Sequence, residues 1–196
     1  MPSDLQVTNL KANDGTAGIS IADSSGNVSL SGSLSAGTLG SDVVLPANRI
    51  RQFSSTTITS QPTRTSTSFG AFSSAITGSI SGCLSSSKIL IECHCTFSSG
   101  ADSIMMFHFY DVTNSAWVTP AGDDGHFGGS STDSTGGRVS NGSGAVLYDP
   151  ASYNSGSLVI ELYGKGSSGT MKINIRGGGD AYGRGTTVIN LYEFTQ

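Results

Sequence analysis

Along much of this chain apolar and polar residues alternate with a period of two, the spacing that predicts β-strands. Residues 88–97 carry it most cleanly. Ile89, Ile91, Cys93, Cys95 and Phe97 fall on one face, and Lys88, Leu90, Glu92, His94 and Thr96 fall on the other. A half-buried antiparallel strand reads this way. Residues 103–111 alternate too, but both faces are bulky: Met105, Phe107 and Phe109 against Ile104, Met106, His108 and Tyr110. Such a strand belongs in the middle of a sandwich or at a subunit interface. Shorter strands are expected at 51–60, 67–72, 116–119, 144–148, 157–163, 170–175 and 186–194. Residues 120–143 and 177–185, rich in Gly and Ser, read as long loops of the kind that make Greek-key crossings. No segment has helical periodicity with caps. About eight short strands separated by turn signals predict an all-β sandwich or jelly roll.

Residues 1–47 follow a different rhythm. Ile19 and Ile21 form one apolar pair and Val28 and Leu30 the next, with Leu34, Leu39, Val43 and Leu45 beyond. Ile19 to Val28, Ile21 to Leu30 and Leu30 to Leu39 share a spacing of nine residues. Very short strands joined by tight turns fit this repeat. Each offers only two apolar side chains, while ordering each residue costs about 1–2 kcal/mol of backbone entropy. One chain cannot recover that cost alone. Three copies around an axis can, by burying Ile19, Ile21, Val28, Leu30 and Leu39 against each other. The expected organisation is a trimeric β stalk at 1–47 and a β-sandwich head at 48–196, with a hinge at Pro46.

Composition narrows the function. Only 12% of residues are charged, against about 25% in an ordinary domain. Ten Lys and Arg and a net charge of -4 leave no basic stripe for nucleic acid. The opening Met1-Pro2-Ser3-Asp4 does not read as a secretion signal. No apolar run reaches the roughly 20 residues of a membrane helix, so membrane insertion is not expected.

Candidate chemistry is sparse. Cys93, His94 and Cys95 are adjacent, but on a strand the thiols point one way and the imidazole the other. No second Cys/His pair completes a zinc set. The thiols are expected to be buried and reduced, with a Cys83–Cys93 pairing left open. No paired carboxylates, nucleophile elbow or phosphate loop emerges, so neither a catalytic residue, a metal site nor a cofactor is expected. Aromatics on loops over a rigid scaffold can grip sugars. On that basis Trp117, His126 and Tyr182 are the candidate ligand-binding residues, His126 standing in the loop sequence AGDDGHFGG.

The run NLKANDGTAG, then SIADSSGNVSLSGSLSAGTLG and VVLPA, resembles the stalks of tail-fibre and head-fibre proteins of tailed bacteriophages, marine cyanophage-like ones especially. The later segments KILIECHCTF, SLVIELYGKG and GRGTTVINLYEF resemble the trimeric jelly-roll heads shared with tumour-necrosis-factor-like proteins. The resemblance implies a homotrimeric, non-enzymatic virion protein, made in a bacterial cytoplasm. It would be a short tail fibre or spike, joined to other virion proteins through its N-terminal segment and adhering to host-surface glycan. Two alternatives are a capsid decoration protein that cements the shell and a cellular sugar-binding or cytokine-like module.

Overall fold

The computed structural model describes residues 49–99, 103–119, 125–131, 139–154, 156–175 and 185–195. The expected stalk, with Ile19, Ile21, Val28, Leu30 and Leu39, lies outside the described residues, as does its boundary with the head.

The described residues form eleven strands and no helix. In chain order these are β1 (Ile50–Ile58), β2 (Thr63–Arg64), β3 (Thr77–Ile80), β4 (Lys88–Ser99), β5 (Ser103–Asp111), β6 (Ala116–Trp117), β7 (Phe127–Ser131), β8 (Ser140–Tyr148), β9 (Leu158–Gly166), β10 (Met171–Ile173) and β11 (Thr187–Phe194). All pair antiparallel in two sheets. Sheet I has the main order β1-β11-β4-β8, with β10 and β2 extending it past the end of β11. Sheet II has the order β3-β9-β5, with β7 and β6 sharing the far edge of β5. The chain changes sheet six times: between β2 and β3, β3 and β4, β4 and β5, β7 and β8, β8 and β9, and β9 and β10. This is a β-sandwich of jelly-roll type, as the alternation predicts.

The core lies between the sheets. Ile89, Ile91, Cys93, Cys95 and Phe97 of β4 are all buried, facing Met105, Phe107 and Phe109 of β5 and Leu158, Ile160 and Leu162 of β9. Each such aliphatic or aromatic side chain contributes roughly 1.5–3 kcal/mol by leaving water. The Phe97 and Phe107 rings meet at 5.0 Å across the sandwich. All three thiols are free and buried. Burial pushes Cys95 up to about 12 and Cys83 up to about 11, so both stay protonated and pack as small apolar groups. Cys83 and Cys93 are therefore not bridged.

The segment expected to be one loop at 120–143 instead contains β7 and the first residues of β8. Glycine and serine hide these strands, because they carry no apolar alternation. They are there to admit rings. A Cβ on Gly129 would lie 2.7 Å from Phe97 Cζ, and one on Gly142 would lie 2.9 Å from Phe97 Cε1. Residues 67–72 are not a strand either. Only Gly70 bridges, to Gly164, while β2 and β3 lie on either side.

One buried carboxylate ties the first strand to the last. Glu193 of β11 has a fully buried side chain. Its Oε2 accepts from Arg51 Nη1 at 2.7 Å, and its Oε1 accepts from Ser87 Oγ at 2.6 Å and the Leu84 N–H at 2.8 Å. Burial pushes this carboxyl up, but the Ser87, Leu84 and Arg51 contacts outweigh it and hold the group below its ordinary value.

Candidate functional site

The outer face of sheet II gathers four polar aromatics, His108, Tyr110, Trp117 and Tyr163. Because β9 buries Leu158, Ile160 and Leu162, its alternate residues Glu161, Tyr163 and Lys165 face away from the core. For the same reason β5 turns Met106, His108 and Tyr110 outward. Register then sets neighbours: Tyr110 lies between Glu161 and Trp117, and His108 beside Tyr163.

Two local devices complete the cluster. The turn after β5 is held by the buried Asp111, which accepts from the Asn114 N–H at 3.0 Å, Asn114 Nδ2 at 2.6 Å and the Tyr148 hydroxyl at 2.8 Å. Ser115 adopts a φ of 52° to close this turn, which returns the chain as β6 and lays Trp117 against Tyr110. The second device is Arg64. Its guanidinium donates to the carbonyls of Gly164, Ala71 and Ser68, each at 2.8 Å, and so shapes the loop that delivers Phe69.

Trp117 stands at the centre of the resulting ring cluster. It lies 4.7 Å from His108, 5.1 Å from Tyr110, 5.4 Å from Tyr163 and 6.1 Å from Phe69, centroid to centroid. Tyr110 and Tyr163 stack at 4.7 Å with an interplanar angle of 11°. Lys165 Nζ sits 4.6 Å from the Phe69 centroid. Trp117 remains 43% exposed, while Glu161 is only 9% exposed. No described residue donates a hydrogen bond to the Glu161 carboxylate, and burial raises its pKa.

Sequence reasoning named Trp117, His126 and Tyr182. The first two share His108 as a neighbour, whose ring lies 4.5 Å from that of His126. Tyr182 lies outside the described residues. His126 is not a solvated loop residue. Its backbone N–H donates to the Phe107 carbonyl at 2.8 Å, and its Nδ1 accepts from the Phe109 N–H at 3.2 Å. The His108 Nδ1–H donates to the Phe109 carbonyl at 2.9 Å. Phe109 thus places one backbone group on each histidine. The His126 Nε2 is buried with no hydrogen-bond partner among the described residues. Burial, and then the charge that His108 can carry, push His126 down to about 4. This imidazole is neutral near pH 7 and packs beneath the site.

Glu161, Tyr163, Tyr110 and Phe69 were not picked out as site residues. The period-2 spacing of Glu161, Tyr163 and Lys165 was visible, but not which face would be buried. At the polar end of sheet I a shallow depression of about 220 Å³ is lined by His94, Thr96, Asn141 and Ser143, among others. Among the described residues no three His, Cys, Asp or Glu side chains converge on a metal position. No protein-family model matches the chain, and no curated protein matches it in sequence.

Proposed function

We propose that this chain is a virion structural protein of a tailed bacteriophage: a short homotrimeric fibre or spike whose jelly-roll head adheres to the host surface. The observation that carries the self-association is an apolar row across the outer face of sheet I. Register aligns Phe53 of β1, Tyr192 of β11, Leu90 of β4 and Leu147 of β8. Phe53 is 61% exposed and Leu147 53% exposed, and the Phe53 and Tyr192 rings stack at 5.6 Å. A continuous exposed apolar band marks a contact surface. A second copy of the head is its natural cover, because the repeating apolar pairs of 1–47 call for copies of the same chain. Three weak adhesive sites held together then gain avidity without new contacts.

Light scattering tests the assembly. The purified protein should have about three times the 20.0 kDa chain mass, and a monomer would overturn it. Locating the protein in a particle reconstruction tests the role. Density at the tail agrees with a fibre or spike, and density on capsid faces replaces this reading with shell decoration.

A further inference from the structure

We infer that the outer face of sheet II is a saccharide platform. It takes a neutral pyranoside of glucose or galactose configuration, stacked on Trp117 with its hydroxyls donating to Glu161. This inference deepens the adhesion reading, on which it rests, by giving the head a site and a ligand class.

Three observations point there. First, the most exposed ring of the cluster, Trp117, is supported by four others on a rigid sheet. A sugar with mostly equatorial hydroxyls presents a flat C–H face that packs on an aromatic ring. Second, Glu161 is largely covered by its neighbours, but its carboxylate is not sealed from solvent, and no described residue donates to it. It is an acceptor held in place on a sheet, and sugar hydroxyls are the donors that match it. Register places Glu161 beside Tyr110, which stands between it and Trp117.

Third, the packing disfavours the other ligand that aromatics and a carboxylate attract, an organic cation. Tyr110 and Tyr163 are stacked face to face, and Trp117 touches both, so the rings form a slab rather than a box. Lys165 already occupies the face of Phe69, where an added cation would sit. The exposed row on the outer face of sheet I offers no comparable ring cluster around a tryptophan.

Trp117 is the only tryptophan in the chain, so its fluorescence reports on this site directly. The assembled wild-type protein is titrated with cellohexaose, a galacto-oligosaccharide and choline, each to about 10 mM, where a millimolar site is mostly filled. Either sugar should shift the emission saturably, and choline should not. By calorimetry, Trp117→Ala should weaken sugar binding by about tenfold or more. Trp117→Tyr should recover most of it, and Glu161→Gln should cost a few-fold. All three variants should keep the wild-type mass and melting temperature within a few degrees. Silence with both sugars, saturation with choline, or unchanged affinity in Trp117→Ala overturns the inference. So does loss of assembly in that variant, which would make the patch a contact between copies. Binding of labelled protein to susceptible bacterial cells separates the two claims. If wild type and Trp117→Ala adhere equally, the platform fails and adhesion stands. If sugar binds but cells do not, the platform stands and adhesion fails.

Discussion

The two outer faces of the sandwich are made by the same alternation and carry opposite chemistry. Sheet I exposes Phe53, Leu90, Tyr192 and Leu147 in one row across four strands, about 15 Å at the usual strand spacing. The Tyr192 hydroxyl, bonded to Glu92, is the one side-chain hydrogen-bonding group in the row. Sheet II exposes Trp117 over Tyr110, Tyr163 and His108, with Glu161 and Lys165 among the rings. An apolar band is best covered by another apolar band. Rings beside a carboxylate suit a ligand that is apolar on one side and rich in hydroxyls at its rim. Period two decides that a strand has two faces, and the residue types on the outer one decide what it can meet.

The sharpest way to break this comparison is on sheet I. Phe53→Asp with Leu147→Asp should dissociate the assembly, because burying those two side chains is worth roughly 1.5–3 kcal/mol each at every interface. Light scattering should drop towards the single-chain mass, while sugar-induced Trp117 fluorescence survives at lower avidity. An unchanged mass would remove sheet I as the contact face. The next effect is on stability. Arg51→Ala leaves the Glu193 carboxylate buried without its cation. Breaking such a pair costs about 3–5 kcal/mol, reduced to about 2–3 because the Arg51 side chain is 32% exposed to screening water. The melting temperature should fall by roughly 5–10 °C. Glu193 titrates below its ordinary 4.5, so its contribution exists above that pH and fades as pH falls through the folded value. The Arg51→Ala deficit should shrink in acid.

A smaller effect belongs to sheet II. His126 is neutral in the fold and titrates at about 4 rather than 6.5. Between those values the unfolded chain binds the extra proton, so stability is complete above 6.5 and declines towards pH 4. After allowance for partial exposure the loss is about 1–2 kcal/mol. His108, lowered mainly by burial, acts in the same direction. Melting curves from pH 7 to 4.5 should show the decline, and His126→Phe should flatten part of it.

Some of this was legible in the residue order. Strands β4, β5, β9 and β11 announce themselves because apolar residues recur every second position; the buried face of β4 follows directly, while for β5 and β9 the packing chose the face. β7 and the start of β8 do not, because Gly129 and Gly142 give their side-chain space to Phe97. A glycine written for a ring on another strand looks like a glycine written for a turn. His126 was picked as a ring in the loop sequence AGDDGHFGG, yet its described contacts are with Phe107, Phe109 and His108.

The sequence by itself determined the all-β class, the burial of the three thiols and the two-faced character of the long strands. These are local properties, set by a side chain and its neighbours two residues away. Only the tertiary structure decided that Phe69, Tyr110, Trp117, Glu161 and Tyr163 share one surface, and that Phe53 and Leu147 share the opposite one. Those groupings depend on cross-strand register between segments far apart in the chain, Phe53 against Tyr192 among them. Register is the outcome of packing every strand at once, and no local pattern contains it.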